Sequence, residues 1–215
     1  MGRWYLVAVF FLLLYTLTAQ TGVCWQDNGQ HQYRIIHGEF YNDLGLALAH
    51  PLYIACGRLL VWIGGETALP HLLNMFSGVC MAVAVADVAG IATMLSNKRW
   101  IGILIAAVLG LSHMVWWLAT ISETYALSLA GLTLELYLLI LLWREPRWYR
   151  LVLLAFVSGL GVCVHNLALL PLPVYLVVMI VLLTRKRLPA WSVLPSIAAY
   201  LLGTGLFLAM IIHTA

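Results

Sequence analysis

Few side chains in this sequence could carry chemistry, because its 215 residues include only 8 acids and 11 lysines or arginines. Carboxylates can take a proton from a hydroxyl group. Guanidinium groups can hold a phosphate through paired hydrogen bonds, and imidazoles can donate a hydrogen bond to one. The residues of these types that we single out as candidates are Asp27, Arg34, His50, Arg58, Glu123 and His165.

The composition places these residues in a membrane protein. Hydrophobic residues make up 64% of the chain, charged residues 9%, and the mean hydropathy is +0.99. Soluble domains are near one quarter charged, and a bilayer can accept apolar surface that a core of this size cannot bury. We therefore expect membrane lipids, and no nucleic acid, as partners.

Apolar runs of about 20 residues, long enough to cross the hydrocarbon layer as helices, predict seven spans. One long run between two basic clusters must cross and return, and His165-Asn166 with Pro171 and Pro173 provides its break. The predicted spans are Trp4–Val23, Leu72–Leu95, Ile101–Ala119, Thr124–Trp143, two within Leu151–Thr184, and Trp191–His213. The sequence thus predicts an all-α polytopic protein with a single transmembrane domain, residues 1–215.

Basic residues predict the orientation, because short loops rich in Lys and Arg stay on the cytoplasmic side. The N-terminus is expected in the cytoplasm and the C-terminus outside it. A cleaved signal peptide is the open alternative for the first run. The residues assigned to the cytoplasmic face are Arg3, Lys98, Arg99, Arg144, Arg147, Arg150, Arg185, Lys186 and Arg187.

The segment between the first two spans, residues 24–71, is predicted to fold as an extracytoplasmic cap. It is too long for a simple connection, and loops of this length usually carry function or are disordered. Its apolar part, Leu44–Gly65, is interrupted at His50-Pro51 and ends in two glycines. This pattern favours one or two helices lying along the membrane surface.

Four motifs in a fixed order resemble the protein O-mannosyltransferase-like membrane family of the GT-C glycosyltransferase superfamily. The similarity extends from about Trp4 to Pro173. The motifs are Asp27-Asn28-Gly29-Gln30, Ala49-His50-Pro51-Leu52-Tyr53 with Gly57-Arg58-Leu59, Glu123-Thr124-Tyr125-Ala126-Leu127, and Gly159-Leu160-Gly161 with His165.

The resemblance implies a GT-C-like N-terminal module that transfers a sugar from a polyprenyl-phosphate donor to an acceptor hydroxyl on the extracytoplasmic side. It implies no cofactor. Asp27, in the first loop, matches the family's catalytic base. The expected contacts with the phosphate-bearing substrate are Arg34, His50, Arg58, Glu123 and His165.

Structural roles remain open for several of these residues. Asp-Asn-Gly is also a strong turn sequence, which would make Asp27 a helix-end acid. His31 and His37 are predicted to be surface histidines, since no pair of ligands at metal spacing accompanies them, and no metal site is expected. His165 fits a buried structural hydrogen bond equally well. Glu123 at the head of its helix could face the headgroups.

Two acids lie inside predicted spans. Asp87 and Glu135 are costly in hydrocarbon and therefore need partners. They are expected to bond each other across helices, or to meet polar groups of another subunit.

A second function therefore stays in view: a non-catalytic membrane subunit that uses the same scaffold to pack into a larger complex. Gln30 stands where the family usually has an acid, and full family members continue beyond the point equivalent to Ala215.

Overall fold

The computed structural model describes residues 4–25 and 27–214, and Arg3 lies outside them. Within this part of the chain the structure is helical and has no strand, which confirms the all-α class. Short 3-10 helices cover Leu46–Leu48, Asn166–Leu169 and Ala190–Ser192. The α-helices are α1 (Trp4–Leu17), α2 (Asn28–His37), α3 (Pro51–Gly64), α4 (Leu69–Ser96), α5 (Arg99–Gly110), α6 (His113–Thr120), α7 (Thr124–Arg144), α8 (Trp148–Val164), α9 (Leu172–Thr184), α10 (Val193–Gly203) and α11 (Gly205–Thr214).

The apolar helices confirm a polytopic membrane protein. Among the described residues, four helical segments are long and apolar enough to cross a bilayer. Two further pairs of helices pass the same test if each pair, bent at a short break, is taken as one span, which gives six. The first and fifth predicted spans appear as shorter apolar helices, α1 and α8. The four segments are Leu46–Gly64, Leu69–Ser96, Thr124–Arg144 and Asn166–Thr184.

Three elements differ from the sequence prediction. The predicted third span bends by 68° between α5 and α6, and the last span bends by 52° between α10 and α11. At the first bend Ser112 donates a side-chain hydrogen bond of 2.6 Å to the carbonyl of Leu109, a local bond that competes with helix continuation. Leu46–Gly64, predicted to lie along the membrane surface, is long and apolar enough to cross.

Helix α4 forms the centre of the bundle and packs against α1, α5, α6 and α7. Small residues on its surface permit this. A Cβ added at Gly78 would lie 3.1 Å from Tyr15 and 3.2 Å from the carbonyl of Ala119. Tyr15 in turn donates a 2.7 Å hydrogen bond to the carbonyl of Gly110, which ties α1 to the end of α5. Close approach of helices through small residues is the usual packing in membranes.

Basic residues lie in three turns: between α4 and α5, between α7 and α8, and after α9. These three basic turns meet at one end of the bundle. Arg144, at the end of α7, donates to the carbonyl of Met94 near the end of α4. Arg187, after α9, lies 3.5 Å from the carbonyl of Arg144. Since α7 begins at Thr124, the head of α7 lies at the opposite end from these basic turns.

Both intramembrane acids have partners within the chain. Thr133 of α7 donates to Asp87 of α4 at 3.4 Å. Tyr175 of α9 donates to Glu135 of α7 at 2.6 Å. The two carboxylates thus bridge neighbouring helices through hydroxyl groups, and these bonds supply partners that polar groups in hydrocarbon require.

The described part of the cap, residues 24–25 and 27–71, is folded around α2 and α3. Gly57 lets the two helices touch, because a Cβ there would lie 2.3 Å from the Ile35 side chain. Arg58 donates to the carbonyls of Ile35 and Ile36 and so satisfies the last turn of α2. The cap therefore carries α2, and with it Asp27, over the head of α7.

Candidate functional site

Two carboxylates stand at the N-cap positions of helices without capping them. Asp27 precedes α2 and is exposed, and Glu123 precedes α7 and is 2% exposed; neither makes a side-chain cap hydrogen bond. An N-cap bond usually stabilises a helix by about 1 kcal/mol. Asp27 forgoes a capping role that its residue type favours, whereas glutamate is not a usual N-cap residue, so Asp27 is the member that departs from the common pattern.

The two carboxylates converge on His31. One ligand atom from each of Asp27, His31 and Glu123 lies within 4.8 Å of the other two. Asp27 and His31 share a face because they are four residues apart at the start of α2. Glu123 reaches them from a distant part of the sequence, so tertiary packing completes the group.

Asn28 holds α2 against the residues that precede α7. Its side-chain amide donates to the carbonyl of Ser122 at 3.3 Å and also to the Ser122 hydroxyl. Its Oδ1 accepts from the Gln32 amide at 2.6 Å and from the backbone N–H of Cys24 at 3.1 Å. Because Asn28 follows Asp27 and Ser122 precedes Glu123, these bonds fix the separation of the two acids.

Burial sets the protonation of the group. Burial and, to a smaller extent, the nearby charge of Asp27 together raise the pKa of Glu123 to about 7, although a hydrogen bond from the backbone N–H of Asp27 acts in the opposite direction. Burial also lowers the pKa of His31 to about 3, helped by His50 and Arg34. His31 is therefore neutral at physiological pH. Two atoms of the group are buried and have no hydrogen-bond partner: Nδ1 of His31 and Oε1 of Glu123.

A row of rings leads from the acids to the side of the bundle. The ring centroids of His31 and His50 are 5.8 Å apart, and those of His50 and His165 are 5.2 Å apart. Tyr125, two residues after Glu123, stacks on His165 with centroids 6.1 Å apart. Motifs from the cap, α7 and the end of α8 therefore meet in one place.

Hydrogen bonds fix the tautomers of His50 and His165. Nδ1 of His50 lies 2.6 Å from the carbonyl of Val164 and must donate, since a carbonyl only accepts. His50 has φ 49°, a left-handed conformation that non-glycine residues adopt at some cost, just before Pro51 at the first turn of α3. Nδ1 of His165 accepts from the N–H of Leu167 at 3.2 Å.

The bond from Leu167 leaves Nε2 of His165 as the donor of the neutral ring. Burial lowers the pKa of His165, which favours this neutral form, although Asn166 acts in the opposite direction. His165 therefore presents one N–H to its surroundings at neutral pH.

His165 lies at the head of an apolar groove of about 320 Å³. Exposed Tyr125, Leu132 and Leu167 on its walls open the groove at the surface of the bundle. Gly161 allows α8 to approach closely, because a Cβ there would lie 3.0 Å from Ala168 and 3.1 Å from Glu135. The lining residues are Leu118, Tyr125, Ser128, Leu129, Leu132, Glu135, Gly161, His165, Leu167 and Ala168.

The two arginines stabilise the cap. Arg34 is buried and donates to the carbonyls of Leu48 at 3.1 Å, Phe40 at 3.0 Å and Ala49 at 2.6 Å. Arg58 is exposed and donates to the carbonyls of Ile35 and Ile36 in the last turn of α2. Nε of Arg34 has no partner. Most of the Arg34 donors are therefore engaged by the protein itself.

The structure thus brings together Asp27, His50, Glu123 and His165, while Asp87 and Glu135 lie on the helices below. His31 corrects the sequence prediction, since it is 3% exposed and central rather than a surface histidine. Its position one turn after Asp27 was the signal for it.

His37 is exposed as predicted. Gln30 is exposed and lines a separate cavity beside Tyr33 and Tyr41, so it does not join the acids.

In a comparison with protein families, the chain matches a model described as the Protein O-mannosyl-transferase TMEM260 N-terminal domain. It covers residues 44–188, more than half of the chain. The matched range contains His50, Glu123 and His165, whereas Asp27 and His31 precede it. Searches of curated proteins and of solved structures gave no match.

Proposed function

Because the chain belongs to the family of the TMEM260 N-terminal domain of protein O-mannosyl-transferase, we propose that it transfers a sugar from a polyprenyl-phosphate donor to an acceptor hydroxyl. The family's description makes mannose the sugar and a protein the acceptor of this proposal. The observation that carries it is the pair of carboxylates, Asp27 and Glu123, whose ligand atoms lie within 4.8 Å of each other.

Asp27 is the proposed base. Its exposed carboxylate takes the proton of the acceptor hydroxyl while the hydroxyl oxygen attacks the anomeric carbon of the sugar. The bond from that carbon to the phosphate oxygen breaks, and the lipid phosphate leaves with the electron pair. Glu123 lies beside Asp27 as a second carboxylate in the proposed site.

The groove below His165 is the proposed place of the donor lipid. Its walls are mainly apolar and suit a prenyl chain, while the acids suit the polar end of the donor. Where the groove meets the acids, the Nε2–H of His165 is proposed to donate to a phosphate oxygen. The engagement of Arg34 and Arg58 by backbone carbonyls favours this histidine as the phosphate contact.

The proposed side of the membrane follows from the basic turns. They meet at one end of the bundle, and the acids lie at the other, at the head of α7. By the positive-inside rule the basic end is cytoplasmic, which puts Asp27 and Glu123 outside the cytoplasm. In this arrangement the N-terminus is cytoplasmic and the C-terminus extracytoplasmic.

The direct test is transfer of labelled mannose by purified protein to a peptide that contains serine and threonine. A polyprenyl-phosphate mannose is the donor, and a nucleotide-linked mannose is the matched control. We expect labelled peptide with the lipid donor alone. Absence of product with both donors, from protein that remains folded and monodisperse, would contradict the proposal.

The alternative, a non-catalytic subunit of a larger membrane complex, has less support. The intramembrane acids that suggested missing partners bond Thr133 and Tyr175 within the chain. The exposed Gln30 in place of an acid is the observation that still favours it. Purification from native membranes separates the two: a stable complex without transfer activity would support the subunit.

A further inference from the structure

The group formed by Asp27, His31 and Glu123 has the composition of a cation site. Each residue offers one ligand atom, and the three atoms lie within 4.8 Å of one another. Metal–ligand bonds of about 2.0–2.2 Å in tetrahedral geometry place the ligand atoms of one ion about 3.3–3.6 Å apart. Side-chain rotations that bring these atoms roughly 1 Å closer together would close the group around an ion.

The two buried members lack the partners that buried polar groups normally have. Glu123 is 2% exposed and His31 is 3% exposed, yet Oε1 of the first and Nδ1 of the second have no hydrogen-bond partner. Across the described residues the only ion pair joins Arg150 and Glu145, at the basic end. Buried polar atoms without a partner point to a bound species that is not part of the chain.

We propose that Asp27, His31 and Glu123 bind one divalent transition-metal ion. Two carboxylates and an imidazole suit Mn²⁺ or Zn²⁺, whereas Mg²⁺ and Ca²⁺ prefer oxygen ligands alone. Asp27 is exposed, so one side of the ion faces solvent. Three protein ligands with an open position are the arrangement of catalytic rather than structural metal sites.

The site itself stands on the geometry, and its part in catalysis rests on the proposed glycosyl transfer. An ion at this place would hold an acceptor hydroxyl or a phosphate oxygen at its open position and stabilise negative charge there. Asp27 has two carboxylate oxygens, so one can bind the ion while the other accepts the proton.

The test is direct binding of Mn²⁺, without sugar donor. Protein carrying an affinity tag free of histidine is stripped with a chelator, and the signal of free Mn²⁺ is followed by electron paramagnetic resonance during titration. We expect one ion per chain. His31→Ala and Glu123→Gln should each weaken binding at least tenfold, and excess Mg²⁺ should not displace the ion.

Matched controls lie in the same cap. His37→Ala removes an exposed histidine from the same helix, and Asp43→Asn removes an exposed carboxylate; both should bind Mn²⁺ as the wild type does. Wild-type protein that binds no stoichiometric ion would overturn the site. So would retention of full affinity in both His31→Ala and Glu123→Gln, since the ion would then lie elsewhere.

A second measurement covers the case in which these variants fail to fold. Pulsed paramagnetic resonance of the Mn²⁺-loaded wild type should show coupling to an imidazole nitrogen, and its absence would overturn the ligand set. If protein that binds no Mn²⁺ still transfers mannose in the presence of chelator, the metal site is excluded and the proposed glycosyl transfer is retained.

Discussion

The carboxylates of Asp27 and Glu123 lie within 4.8 Å of each other, although they stand at the N-termini of two helices that are distant in the sequence. Neither caps its helix. Asp27 is of a residue type that favours N-capping, and departures from local sequence rules are expected most often at functional sites. The pair is the centre of the functional account, and the residues around it can be tested one at a time.

His165→Ala should weaken binding of the lipid donor. The Nε2–H that we expect to contact the phosphate is lost, and hydrogen bonds to charged groups contribute about 1.5–3 kcal/mol. KM for polyprenyl-phosphate mannose should rise roughly 10- to 100-fold, at 1.4 kcal/mol per factor of ten. His37→Ala, in the same assay, should leave KM unchanged. Equal KM values for the two variants would show that His165 does not contact the donor.

His165 should also make stability depend on pH. Burial holds its pKa in the folded protein below the ordinary 6.5. As pH falls through 6.5, the unfolded chain takes up this proton first, so the folded state loses stability between 6.5 and the lowered pKa. Thermal unfolding at pH 7.5 and pH 5 should show a smaller loss in His165→Gln than in the wild type. Identical losses would contradict the assignment.

Filling the groove should discriminate between donors by chain length. Leu132→Trp places a large ring on the wall of the groove. We expect KM to rise about tenfold for a long-chain polyprenyl donor and little for a donor with a short lipid, because only the long chain occupies the groove. Leu153→Trp, on an exposed position of α8, is the control. An equal effect on both donors would place the lipid elsewhere.

Arg34→Ala should destabilise the cap. The substitution leaves the carbonyls of Leu48, Phe40 and Ala49 without this donor, at about 1–3 kcal/mol for each one that stays buried and unpaired. The thermal midpoint in detergent should fall markedly. Arg58→Ala removes an exposed arginine that also donates hydrogen bonds to carbonyls, and it should lower the thermal midpoint less. The reverse order would contradict the structural role of Arg34.

Composition and apolar runs were sufficient to predict the helical membrane class, since these depend on the amount and length of apolar sequence alone. The bends after Gly110 and Gly203 were missed because both runs are apolar enough to count as single spans, although Ser112 and Thr204 stand at the bends. Leu46–Gly64 was expected along the membrane surface because His50-Pro51 interrupts it, but its helical segment is long and apolar enough to cross.

The site was predicted in part. Motif order pointed to Asp27, His50, Glu123 and His165, and the structure places them together. Arg34 was expected at the phosphate because of its charge, but backbone carbonyls exposed by the turns of the cap use most of its donors. The contact of Asn28 with Ser122 could not be read from sequence, because it depends on how the cap lies over α7.

The most direct test of the central claim is the turnover of Asp27→Asn. Asparagine keeps the size of the side chain but cannot take the proton, and general base catalysis contributes about 10²–10⁴-fold. We predict that kcat for mannose transfer falls by that factor in Asp27→Asn and stays at the wild-type value in Asp43→Asn, the exposed acid of the same cap, with equal thermal midpoints. Turnover of Asp27→Asn equal to that of Asp43→Asn would contradict the account.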